Sequence, residues 1–239
     1  MSHCEAIICC VNFNEFLQET LPINKERFDN VIVVSAPSDH RTRDLCQSHN
    51  VELVTTNAFY ENGADFNRGL AINSALKSLK FSEWVLHLDA DIIIPKELGE
   101  FLQNNLTRLD RECLYGCKRL EIPRYADYLQ LLKNLTFFGS RKGIGKETFY
   151  DSKVWSLDEE SGCGFFQLFH MKSQTIQRLQ KTEATFPDRV KELLELKYPH
   201  CKLKERELGQ IYPSFPHCGG SDLAFKSYWL DPTYPHPHT

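Results

Sequence analysis

The chain has 239 residues, 41% of them hydrophobic and 25% charged, with a net charge of −4 at pH 7. That is long enough to bury a substantial core, and it offers no basic field to attract nucleic-acid backbones or anionic membranes. No stretch reaches the roughly 18–20 apolar residues that span a bilayer, and no basic-then-apolar leader opens the sequence, so a cytoplasmic protein or a catalytic domain of a longer chain is expected.

Glu5 to Asn12 is an apolar run that predicts a central strand ending at Asn12. It contains Cys9 and Cys10. Thiols inside a strand, in a chain with an odd total of nine cysteines, indicate buried reduced sulfur rather than a disulfide framework. Phe13, Phe16, Leu17, Thr20 and Leu21 then recur at helical spacing until Pro22 interrupts. Val31 to Val34 predicts a second strand, running into Ser35-Ala36-Pro37-Ser38-Asp39, which can cap a helix carrying Leu45 and Cys46. Val51 to Thr55 is the third strand. In Asn57 to Asn73, Asn62-Gly63 marks a loop, and Ile72, Ala75, Leu76 and Leu79 mark the buried face of a helix that Asp65 can cap.

Trp84 to Pro95 holds two carboxylates, Asp89 and Asp91, in a β-branched apolar run. A buried carboxylate is costly unless it is paired or binds a cation, so both belong where a fourth strand, Trp84 to Leu88, emerges at the sheet edge. Residues two apart on an extended strand face one side, which would bring the two carboxylates together. Such hard oxygen ligands suit Mg2+ or Mn2+ with substrate phosphates completing the shell. A helix with Leu98, Phe101, Leu102, Leu106 and Leu109 follows. Strands alternating with helices argue for an α/β fold with a mainly parallel central sheet, flanked by helices, with ligands bound beyond the strands' carboxyl ends.

Beyond residue 112 the pattern weakens. Cys113 to Ile122 reads as a strand, Tyr125 to Leu135 as a helix and Phe137 to Trp155 as a loop. Gly164 to Phe169 is an aromatic strand, followed by a polar helix with Val190, Leu193 and Leu194. Pro199-His200-Cys201 and Pro216-His217-Cys218 offer four potential zinc ligands, but adjacent His-Cys pairs are unlike the usual two-to-four-residue spacing. With no repeats and no low-complexity linker, residues 1–239 read as one domain, 1–111 and 112–239 forming its two functional halves.

The order strand-Asn12, strand-Asp39, Asn62 to Asn73 and His-Leu-Asp-Ala-Asp resembles the nucleotide-sugar half of a GT-A-fold glycosyltransferase of the family 2-like group. The likeness extends to Gly162-Cys163-Gly164-Phe165-Phe166-Gln167-Leu168-Phe169, similar to the family's acceptor-side strand. Gly219-Gly220-Ser221-Asp222-Leu223-Ala224-Phe225 is similar to the Gly-rich loop and acid that open its catalytic helix. The resemblance implies a metal-dependent transferase moving a sugar from a nucleoside diphosphate, uridine-linked, to a hydroxyl of a glycan, lipid or protein acceptor, with neither nucleic acid nor a transmembrane segment involved. Carried over by position, Asn12 and Asp39 contact the nucleoside, and Asn67 and Arg68 lie near the base or diphosphate. Asp89 lies by the ribose or the metal, and Asp91 ligates the metal.

Asp222 is then the general base of an inverting displacement, taking a proton from the acceptor hydroxyl as that oxygen attacks the anomeric carbon. The same acid also fits a helix cap. Trp155, Phe165, Phe166 and Trp229 are acceptor-side aromatics on which a sugar can stack, though strand alternation turns at least one of Phe165 and Phe166 inward. Gly219 and Gly220 permit close backbone approach. In related enzymes a later strand carries a histidine that completes the metal site. Here the sequence stops at Tyr234-Pro235-His236-Pro237-His238-Thr239, so a truncated chain, a ligand from His236 or His238, or a site with fewer ligands are the alternatives.

Two other functions compete. One is a non-catalytic sugar- or nucleotide-binding protein on a degenerate transferase fold. The other, a sugar-phosphate nucleotidyltransferase, needs a Gly-rich cationic loop after the first strand, which Val11-Asn12-Phe13-Asn14-Glu15 lacks.

Overall fold

The computed structural model describes residues 2–117, 129, 149–151, 165–181, 191–192, 195–196, 199, 207–215 and 218–230. The apolar runs form strands β1 (Cys4–Cys9), β2 (Asn30–Ser35), β3 (Glu52–Thr55) and β4 (Trp84–Asp89). Helices α1 (Asn14–Asn24), α2 (His40–Ser48) and α3 (Arg68–Ala75) connect them. Helical crossovers make neighbouring strands parallel, and all three pairings in the order β3-β2-β1-β4 are parallel. Because β2 and β3 lie to one side of β1 and β4 to the other, the strand order reverses at the β1/β4 boundary, where open α/β sheets form a binding crevice.

The second half adds α4 (Lys96–Asn105), β5 (Tyr115–Cys117), β6 (Phe149–Asp151), β7 (Phe166–His170), α5 (Gln174–Lys181) and α6 (Cys218–Leu230). β7 pairs antiparallel with β4, placing Gln167 opposite His87, and β5 and β6 extend the sheet antiparallel. The seven-stranded sheet is thus parallel through its first four strands and antiparallel beyond them.

Period-two alternation splits the core into two layers. Ala6, Ile8, Val31, Val33, Leu86 and Leu88 pack with Leu17, Leu21 and Leu102 of α1 and α4. Ile7, Ile32, Val34, Val85 and Phe169 face the other way, against α3, Tyr212, Phe215 and α6. His87 and Asp89, two and four residues along from Val85, share its side of β4 and so look toward α3 and α6. The expected buried thiols are present: Cys4, Cys10, Cys46, Cys113 and Cys117 are buried, Cys9 is partly so, and all six are free.

Local boundaries differ from expectation in four places. α1 runs past Pro22, whose missing N–H costs one bond close to the helix end at Asn24. α3 starts later than an Asp65 cap requires: Asn67 caps it, and Ala58–Gly63 ahead of it is a 3₁₀ turn. The strand expected from Cys113 begins at Tyr115, and Phe149–Asp151 is a strand within the expected loop, paired through Gly116 and Tyr150. Leu76–Ser78 continues α3 as a 3₁₀ turn. The Tyr125 to Leu135 helix (apart from residue 129), Val190, Leu193, Leu194, the side chains of His200, Cys201, His217 and Cys218, Trp155 and the tail from Tyr234 lie outside the described residues.

Candidate active site

At the tip of β4 the chain turns instead of continuing extended: Ile92 N–H donates to the Asp89 carbonyl at 3.3 Å. The alternation that was expected to bring both carboxylates to one face therefore ends at Asp89. Asp89 is half-buried and Asp91 is exposed in the turn. The backbone around Asp91 is fastened from below by α1. Thr20 Oγ1 donates to the Ala90 carbonyl at 2.7 Å, Asn24 Nδ2 donates to the Ile92 carbonyl at 2.7 Å, and Asn24 Oδ1 accepts from Ile94 N–H at 2.9 Å. Thr20 had been read as an apolar-face position of α1. Its signal, with Asn24, is a polar residue in a buried stripe, which must find a partner.

Arg68 opens α3 and reaches across the strand tip. One guanidinium nitrogen lies 2.5 Å from Asp89 Oδ1, and the other pairs with Asp222 Oδ2 in α6. The Arg68 side chain is 11% exposed and that of Asp222 6%. Two acids far apart in the sequence thereby meet on one cation, as a buried carboxylate requires. Asp222 Oδ1 is buried with no hydrogen-bond partner among the described residues.

The segment that delivers α6 is held by asparagines of the α3 region. Asn73 Oδ1 accepts from Ile211 N–H and Tyr212 N–H, both at 2.9 Å, and its Nδ2 donates to the Tyr212 carbonyl. Asn67 is buried, with its Oδ1 accepting from Leu70 N–H and its Nδ2 donating to Ser214 at 2.9 Å. Both ends of Asn67 are thus spent on structure rather than presented to a base or diphosphate. Beneath the site, His87 Nδ1 lies 3.2 Å from Gln167 Oε1, which also accepts from the Tyr212 hydroxyl. Gln167 Nε2 donates to the Asp222 carbonyl at 3.4 Å. Burial and the Arg68 charge push the His87 imidazole down to about 3, so it stays neutral.

Asn12 stands at the tip of β1 with φ 55, a left-handed conformation that asparagine tolerates, and its side chain is exposed. Asp39 is 4% exposed and caps α2, as the turn-rich stretch Ser35 to Asp39 was expected to do. Its Oδ2 accepts from Asn12 N–H, Ser35 and the Thr42 hydroxyl, and its Oδ1 from Thr42 N–H, capping α2 and fixing the β1 tip. Burial opposes its charge, but these hydrogen bonds prevail and hold its carboxyl below the usual range. Phe13 and Phe16, expected on the buried face of α1, are 45% and 49% exposed and stacked at 4.5 Å beside Asn12.

The acceptor-side expectations divide. Phe165 is partly buried, whereas Phe166 and Trp229 are core residues, each 1% exposed. Alternation turns Phe166 inward onto the α1/α4 layer, and Trp229 packs edge-on against Phe225. Gly219 and Gly220 lie in the first turn of α6, not in a loop ahead of it.

Among the described residues no three His, Cys, Asp or Glu side chains gather into a metal cluster. Asp91, exposed on a fastened turn and without a described partner, together with Asp89, fits a hard divalent ion that draws its remaining ligands from phosphate and water. No helix of the described residues is long and apolar enough to cross a membrane.

No family model matches the chain, and no curated protein matches it. Solved structures do. A mannosyltransferase from Pyrobaculum calidifontis in complex with GDP-Man and Mn2+ is 20% identical over 78% of this chain and 48% of its own, with a TM-score of 0.44. Glucosyl-3-phosphoglycerate synthase from Mycobacterium tuberculosis, in complex with Mn2+ and UDP-glucose, is 14% identical over 76% of this chain and 58% of its own, at 0.43. Mannosyl-3-phosphoglycerate synthase from Rubrobacter xylanophilus is 21% identical over 47% and 39%, at 0.38. The chain spans about half the length of these structures. At such TM-scores the likenesses carry no functional argument, which rests on the site itself.

Proposed function

We propose that the protein is a metal-dependent glycosyltransferase that moves a sugar from a nucleoside diphosphate to a hydroxyl acceptor. The observation that carries this reading is the meeting of Asp89 and Asp222 on the Arg68 guanidinium at the carboxyl ends of the parallel strands, beside the β1/β4 crevice. In this reading the exposed Asn12 side chain and the stacked Phe13 and Phe16 rings offer a nucleoside a polar contact and a flat apolar face. Asp91 and Asp89 would hold Mn2+ or Mg2+, whose charge offsets that of the leaving diphosphate.

Asp222 supplies the base. A proton passes from the acceptor hydroxyl to its carboxylate, the oxygen forms the new bond to the anomeric carbon, and the bond from that carbon to the diphosphate breaks, releasing the nucleotide. The unfilled lone pairs of Asp222 Oδ1 support the role. Attack from the face opposite the nucleotide inverts the anomeric centre. A uridine-linked donor is the favoured member of the class.

The test compares the native chain with Asp222→Asn, each supplied with Mn2+ and a panel of nucleotide sugars. Donor turnover should fall by about 10²–10⁴-fold, the usual worth of a general base, while nucleotide affinity persists. Equal turnover would remove Asp222 from the chemistry.

A further inference from the structure

We propose that Arg68 is an exchangeable cation, standing in for the divalent ion and the diphosphate while the site is empty of both. The inference rests on the transferase reading above and adds a job for one of this chain's own residues.

Arg68 holds Asp89 with one nitrogen and Asp222 with the other. Its backbone is fixed as the first residue of α3, directly after the Asn67 cap, so exchange is left to the side chain. A guanidinium fork matches two carboxylate oxygens or two phosphate oxygens equally well, and it never deprotonates. A positive charge 2.5 Å from Asp89 Oδ1 opposes any divalent ion approaching that oxygen. Nucleotide-free protein therefore excludes the ion, although Asp91 stands exposed beside it.

An incoming diphosphate changes the balance. Its oxygens offer the Arg68 fork a new partner, and its negative charge offsets the combined positive charge of guanidinium and divalent ion. Once Arg68 turns to the phosphates, Asp89 is open to the ion, and Asp222, no longer committed to the guanidinium, can accept a proton. The Gln167 bond to the Asp222 carbonyl and the Asn73 clamp hold the backbone near Asp222 while the side-chain partner changes. The same exchange keeps the base occupied until a donor is present.

Mn2+ binding by nucleotide-free protein reads this directly, by calorimetry or the paramagnetic signal of the free ion, with thermal melting as the folding control. Arg68→Gln keeps hydrogen-bond donors and removes the charge. It should bind Mn2+ at least about tenfold more tightly than wild type, since a neighbouring positive charge has gone. Arg68→Lys keeps the charge but cannot span both acids, and should fall between the two. If the Gln variant does not fold, the Lys variant alone decides: tighter binding than wild type supports the exchange, and equal or weaker binding overturns it. UDP and GDP binding in the presence of Mn2+ separates the two levels of the account. Wild type that binds nucleotide, with Mn2+ affinity unmoved by Arg68→Gln, overturns the exchange alone. No nucleotide binding overturns the transferase reading and the exchange with it.

Discussion

Acid should loosen this protein through His87. The imidazole is fully buried on β4, tied to Gln167, and lowered from 6.5 to about 3 by burial and by Arg68. A histidine with a depressed folded-state pKa takes up its proton mainly on unfolding. Its penalty is absent above pH 6.5 and grows as pH falls toward the folded value. Between pH 7 and pH 4.5 two free-energy curves offset by this shift diverge by about 2.5 kcal/mol, at about 1.4 kcal/mol per pH unit over most of that range. Urea unfolding of wild type and His87→Gln at half-unit pH steps isolates the effect, because other titrating groups contribute to both proteins. The variant should be the less stable at pH 7, having lost a packed ring, and the gap should narrow by about 2.5 kcal/mol by pH 4.5. A gap that stays constant would mean that His87 is protonated as readily in the fold as in the unfolded chain, and the buried, neutral imidazole hydrogen-bonded to Gln167 would be refuted.

Asn73→Ala strands the buried Ile211 and Tyr212 N–H groups and should cost roughly 3 kcal/mol in urea unfolding; a loss below about 0.5 kcal/mol would show that the segment ahead of α6 is held by something else. Asn24→Ala frees the turn that carries Asp91 and should weaken nucleotide-dependent Mn2+ binding about tenfold, while stranding the buried Ile94 N–H at a cost of about 1–3 kcal/mol in urea unfolding; unchanged Mn2+ affinity would count against a prearranged turn. Asp39→Asn points an amide at a site made of donors. Because the folded Asp39 carboxyl lies below its ordinary 3.8, its stabilisation is complete above that pH and lost only as pH falls through the lower value. The stability gap between wild type and Asp39→Asn should thus be flat at neutral pH and close only below pH 3.8, and closure nearer pH 6 would contradict the hydrogen-bond accounting.

The alternating half of the fold could be read from residues because β1, β2 and β4 are buried on both faces and bounded by turn formers, as Val31–Val34 before Ser35-Ala36-Pro37 illustrates. Asp89 could also be read, since an acid at the end of an apolar run needs a cation. The partner that Asp89 took could not, because Arg68 and Asp222 meet only after α3 and α6 pack on one face of the sheet. Asn67, Asn73, Thr20 and Asn24 were hidden for a related reason: their partners are backbone groups or a serine of distant segments, which leave no periodic trace. Phe13 and Phe16 mislead in the opposite direction, matching helical spacing while facing outward. Phe166 and Trp229 looked available to a sugar because aromatic type says nothing about direction; strand alternation and helix packing decided that.

The central claim is that a divalent ion and a nucleoside diphosphate share the tip of β4 beside Asp222. Calorimetric titration of UDP and GDP into wild type and Asp91→Asn, each with and without Mn2+, tests it most directly. The account predicts nucleotide binding that strengthens with Mn2+ in wild type and loses that dependence in Asp91→Asn. Mn2+-dependent affinity that is the same in both proteins would contradict it.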